Sequence, residues 1–113
     1  MTDEFQINSE WYEQMQIFNF EFQNREIMSE VETFSENIKN SVNRSQDMRQ
    51  MIGRLYDYRR YLLFHEDMAK YLVEEGKPQL SKRLNEILTD LQETLQIFNK
   101  TYEEMLDENK EIV

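Results

Sequence analysis

His65-Glu66-Asp67 is the one place in this chain where an imidazole stands beside carboxylates, the grouping that acid–base catalysis or metal binding would use. Catalysis also needs a nucleophile or a second titrating group converging on the ring, and no motif nearby supplies one. A zinc-protease helix repeats its His four residues on, where Ala69 stands. A di-iron bundle sets a Glu three residues before the His, where Leu62 stands. Cysteine is absent, which removes thiolate nucleophiles, thiolate metal ligands and disulfides. The acids are spread along the chain rather than gathered in an Asp-rich loop around a glycine, so there is no EF-hand. The expectation is a protein that is not an enzyme, with no catalytic residue, metal or cofactor. His65 is then a histidine at the edge of a packing seam, hydrogen-bonded to a neighbouring acid.

Arg44, Arg49, Arg54 and Arg59 recur every five residues, which resembles an anion-binding motif. On a helix each step of five turns the side chain by about 140°, so the set spirals instead of forming one face. Bridges to acids on neighbouring helices are the simpler expectation. The net charge of −10 and isoelectric point near 4.6 argue against nucleic acid and anionic lipid as partners. That charge is unevenly laid out. Residues 1–36 hold nine acids against Arg25, residues 37–60 hold six bases against Asp47 and Asp57, and residues 61–113 hold twelve acids against six bases. A basic middle between acidic ends suits a chain folded back on itself.

Aromatic and thioether side chains are the remaining candidates for function. Trp11, Met15, Phe18 and Phe22 form one stripe at helical spacing, with Tyr12 beside it and Tyr61 farther along. Trp and Tyr give large contact area at small entropic cost, which makes them anchors of protein interfaces. Tyr58 falls within a packing ladder and is expected in the core. The seven methionines suit adaptable packing.

The elements that must position these residues are helices. Met48, Met51, Leu55, Tyr58, Leu62, His65, Ala69 and Leu72 form one ladder in 4-3 spacing, and Leu84, Leu88, Leu91, Leu95, Phe98, Tyr102 and Met105 a second. Such seams have the spacing of coiled coils and must be covered by a partner helix. Between them Gly76-Lys77-Pro78 supplies a left-handed cap and a residue that cannot continue a helix. The two helices, about 45–75 with a start near Ser45 and Asp47, and about 79–108 with Ser81 as N-cap and a frayed end, then pair as an elongated antiparallel hairpin. Gly53 within the first of them marks a close helix approach or a bend.

A third helix over about 9–42 has a seam at Ile27, Val31, Phe34 and Ile38 that runs back through Asn24 to Phe20 and Ile17. Strict alternation in Phe18-Asn19-Phe20-Glu21-Phe22 and in Phe5-Gln6-Ile7 is a strand signal. Flanking Glu, Gln and Met, and the lack of bounding turn residues, favour helix. Residues 41–45 then hold either a tight turn or a bend. With only two glycines and one proline, the chain is expected to be all-α: one helical domain over residues 1–113, as a three-helix bundle or helical oligomer.

Neither the first residues nor any later stretch has the form of a secretory signal or a membrane span, so the cytoplasm is the expected compartment. Asn43-Arg44-Ser45 and Asn99-Lys100-Thr101 match glycosylation sequons, which without such a signal carry no weight. Trp11 is followed by Tyr12-Glu13, so the Trp-x-Gly turn of secreted helical pairs is missing and no family is assigned. The expected function is a non-enzymatic interaction module, an adaptor, chaperone or inhibitor. It would bind another protein, or itself, through an apolar helical face whose candidate residues are Trp11, Tyr12, Met15, Phe18, Phe22 and Tyr61. The alternative is an acidic inhibitor of phage type that mimics nucleic acid as a decoy.

Overall fold

The computed structural model describes residues 9–72 and 78–112. They form three long helices: α1 over Ser9–Asn37, α2 over Arg44–Leu72 and α3 over Pro78–Ile112. The segment that alternates, residues 18–22, is helix throughout, because its neighbours are helix formers and Phe20 has a buried seat that a helix reaches and Phe18 does not. Phe5-Gln6-Ile7, the Gly76-Lys77 half of the expected hinge, and the side chains of Ala69 and Leu72 lie outside the described residues.

Several helix ends differ from the expected ones, each for a local reason. α1 stops at Asn37 and tightens into a 3-10 turn over Ile38–Asn40, which Ser41 N–H closes on Ile38 O at 3.2 Å. The turn into α2 is tight, not a bend. Ser41 Oγ donates to the Asp47 carboxylate and accepts the Asn43 N–H at 3.2 Å. Asp47 N–H then makes the opening helical bond to Asn43 O at 2.9 Å, so α2 begins one residue before Ser45. It is Ser41, not Ser45, whose hydroxyl organises this entry, and Asp47 faces the positive end of the helix dipole. α3 begins on Pro78, whose missing N–H is harmless in a first turn, which leaves Ser81 inside the helix and not at its cap. No breaker follows Met105, and α3 continues to Ile112 instead of fraying.

The helices run up, down and up. α1 and α2 are antiparallel, with Gln23 against Tyr61 and Glu30 against Arg54. α1 and α3 are parallel, with Glu21 near Arg83 and the Phe34 ring tilted against Phe98 at 5.6 Å between ring centroids. The result is a slender bundle with a radius of gyration of 18.6 Å. A compact chain of this size would have about 13 Å. Among the described residues no helix is long and apolar enough to cross a membrane.

One core runs along the bundle. α1 contributes Phe20, Ile27 and Val31; α2 contributes Met48, Leu55, Tyr58 and Leu62; α3 contributes Leu80, Leu84, Ile87, Leu91, Leu95 and Phe98. Full burial of such a side chain stabilises the fold by about 1.5–3 kcal/mol. α3 buries a broader face than its 4-3 ladder describes: Ile87 is sealed, whereas Leu88, a ladder member, is only half-buried. The cause is that α3 packs on both other helices, and a helix with two neighbours must be apolar over a wider arc. The α1 seam also runs one step beyond Ile17, to a buried Glu13. Gly53 faces open space, with nothing within 4 Å of where a Cβ would stand, so no close helix approach explains it.

Candidate functional site

The heptad spacing of α1 decides which of its aromatics reach the core. Phe20, Ile27 and Val31 point inward, and residues two positions away from the seam are turned by about 200°, to the outer side. Trp11, Met15, Phe18 and Phe22 occupy those outer positions and are 55%, 42%, 62% and 49% exposed. They lie at 4-3-4 spacing along about 17 Å of helix. Between residues 11 and 22 the only charged side chains are Glu13, which is buried, and Glu21, whose Oε1 lies 3.1 Å from Arg83 Nε. That N–H is not aimed at the carboxylate, so the contact is an ion pair and not a hydrogen bond. The outer face of this stretch is thus mainly apolar, with Glu21 at its margin beside an Arg83 that also bridges Glu86.

The other two candidates lie elsewhere. Tyr12 is half-buried and sits off the stripe. Tyr61 belongs to the α1–α2 seam: its hydroxyl accepts the Gln23 Nε2–H at 3.0 Å, its ring meets Phe20 edge-on at 6.4 Å, and it lies 4.3 Å from the His65 ring. Six candidates therefore separate into a stripe of four and two residues outside it. Phe64 and Met68 are also exposed, on α2, and follow Tyr61 at helical spacing. That spacing was readable, but both lie outside the core ladder and so were passed over. Ile97 stands exposed on α3, apart from these groups.

His65 has a different setting from the expected one. It makes no hydrogen bond to Glu66 or Asp67. Its ring is enclosed by Phe20 at 5.5 Å, Tyr61 at 4.3 Å and Phe64 at 5.8 Å. Burial among these rings holds its pKa below the ordinary 6.5. The folded state therefore binds fewer protons than the unfolded state in this range. The stability that comes from keeping His65 neutral is present above about pH 6.5 and is lost as pH falls below it, levelling off once the folded protein is also protonated. As the only histidine, it gives a single imidazole resonance in NMR titration. Its midpoint should lie below 6.5 in the folded protein, and a midpoint at or above that value would rule out this environment.

Among the described residues no three His, Asp or Glu side chains are grouped closely enough to hold a metal. Tyr58 is a core residue: its hydroxyl reaches Phe20 O at 3.5 Å, and burial pushes its pKa up to about 12. Among the described residues the arginine spiral yields one bridge between helices. Arg54 Nε and Nη2 donate to both oxygens of Glu30 at 2.6 and 2.8 Å, a fork that holds Glu30 below its ordinary pKa and Arg54 above its own. Both side chains are well exposed, so solvent and salt screen the pair to about 1 kcal/mol or less. Arg60 pairs with Asp57 on its own helix, and Arg44 and Arg49 are exposed. The chemistry on offer is therefore that of an apolar contact surface on α1, carried by a rigid charged bundle. No protein-family model, curated protein or solved structure matches this chain.

Proposed function

We propose that this protein is a non-enzymatic helical interaction module, an adaptor, chaperone or inhibitor that binds another protein chain through the outer face of α1. The observation that carries this reading is the stripe of Trp11, Met15, Phe18 and Phe22, four large apolar side chains turned outward from a helix whose inner face is already packed. Exposed apolar side chains in a contiguous row are a feature of docking surfaces. An apolar helix face presented at i, i+4, i+7 and i+11 is the form in which helices enter grooves or pair with other helices.

The test is a capture experiment in the source cell, with the wild-type chain and a Met15→Glu, Phe18→Glu double variant as baits. Both positions point away from the core, so the variant keeps its helicity. A binding partner should be retained by the wild type and lost by the variant. Identical protein sets on both baits would overturn the assignment to this face.

A further inference from the structure

The stripe has a property that bears on what covers it: its spacing reads the same in both directions. Steps of four, three and four residues separate Trp11, Met15, Phe18 and Phe22. Placed against its own copy in antiparallel fashion, with a two-fold axis passing between residues 16 and 17, the stripe sets Trp11 opposite the partner's Phe22 and Met15 opposite the partner's Phe18. All four positions on each side then meet an apolar counterpart. This is the inward pairing that antiparallel helices use, and it is self-complementary, as a two-fold interface must be.

Net charge opposes self-association and so restricts where a second copy can dock. Each copy carries a net charge of −10, so two copies repel at long range and can join only through a surface that brings no further acids together. The outer face of residues 11–22 is such a surface. Its flanks are Tyr12 and Asn19 on one side and Gln14 and Glu21 on the other, and Glu21 lies 3.1 Å from Arg83, a guanidinium it shares with Glu86. Farther along the same outer face stand Arg25 and Glu26, and the acids become dense, so the neutral window coincides with the apolar one.

The area is sufficient for a small dimer. Large aromatic side chains have about 150–250 Å² to bury, and these are roughly half covered already, which leaves on the order of 400 Å² per copy from the stripe. Tyr12, Gln14 and Asn19 at its margins bring the total for two copies to about 1,000 Å², the lower bound for a specific interface.

We infer that the occupant of the α1 stripe is a second copy of this chain, bound as an antiparallel two-fold dimer through Trp11, Met15, Phe18 and Phe22. The inference rests on the proposed use of that face for binding and specifies its partner. Sedimentation velocity on the purified full chain should show the 13.9 kDa monomer giving way to a species of twice that mass as concentration rises. Phe18→Glu, and separately Met15→Glu, should weaken this association at least about a hundredfold while leaving the circular dichroism unchanged, because each copy would bury an unpaired charge.

Absence of native cysteine makes the geometry testable as well. A Tyr12→Cys chain mixed with an Asn19→Cys chain should form the mixed disulfide in preference to either self-linked product, since these flanks face each other only in the antiparallel arrangement. Preferential self-linking of each variant, or the absence of any preference, would overturn the model. A wild-type chain that stays monomeric up to about millimolar concentration would overturn it too, whatever else occupies the stripe. In that case the cellular capture experiment, which reads other proteins, would still decide whether the face binds a partner.

Discussion

Alanine in place of Phe20 should remove about 3–5 kcal/mol of folding stability, whereas the same change at Phe18, two residues away, should cost less than about 0.5 kcal/mol. Phe20 is completely buried, against 62% exposure for Phe18. Its ring lies edge-on to Tyr61 and His65, and its carbonyl receives the Tyr58 hydroxyl, so truncation opens a cavity where α1 and α2 meet. Domains of this size are stable by about 5–15 kcal/mol, so the loss is a large share of the whole. Thermal denaturation followed by circular dichroism, at a concentration low enough to keep the chain monomeric, should show the Phe20→Ala midpoint lower by about 12–20 °C and the Phe18→Ala midpoint almost unmoved. Equal shifts would mean that the helix is rotated from the orientation described.

The second large effect concerns α3. Ile87→Ala should destabilise by about 2–5 kcal/mol and Leu88→Ala by clearly less. The two residues are neighbours with side chains of similar size, and they differ in burial: Ile87 is 0% exposed and Leu88 is half-buried. Urea denaturation of both variants makes the comparison, with the midpoint reporting stability as long as the slope stays constant. If Leu88→Ala proved the more damaging, α3 would be packed as the narrow seam of a two-helix hairpin. The reverse order is what a helix with neighbours on two sides requires.

These two pairs also show what the chain made legible and what it did not. Leu84, Leu91, Leu95 and Phe98 repeat at helical spacing, and each is buried because a regular apolar row has no other stable position. The same logic located Leu55, Tyr58 and Leu62 on α2 and Ile27 and Val31 on α1. Ile87 escaped because spacing identifies the centre of an apolar face and not its width, and the width depends on how many helices pack there. Phe18 and Phe20 illustrate a related limit. Two phenylalanines two residues apart read equally well as a strand edge or as opposite sides of a helix, and only the surrounding helix formers favoured the second.

The turn after α1 falls within the residues 41–45 expected for it, but its organising hydroxyl differs from the expected one. Ser41, Ser45 and Asp47 are all suited to capping, and the choice among them is made by backbone geometry that the residue types do not encode. His65 lies at the seam edge, as its spacing predicts, but it meets rings instead of a neighbouring acid. Tyr61, one turn earlier on α2, is within reach of helical spacing, whereas Phe20 comes from α1 across the bundle, where adjacency in sequence gives no guidance. The α1 stripe was legible as residues left over once the seam had been satisfied, which is why four of the six proposed contact residues fall together on it and Tyr61 does not.

The parallel course of α1 and α3 gives the bundle a polarity. Trp11 to Phe22 occupy the half of α1 beside the start of α3, while the turn at residues 41–43 and the last turns of α3 stand at the opposite end. From the middle of the stripe to the end of α1 is about 30 Å of continuous helix. Whatever contacts the stripe and whatever contacts the last turns of α3 would therefore be held apart by a helical strut of fixed length.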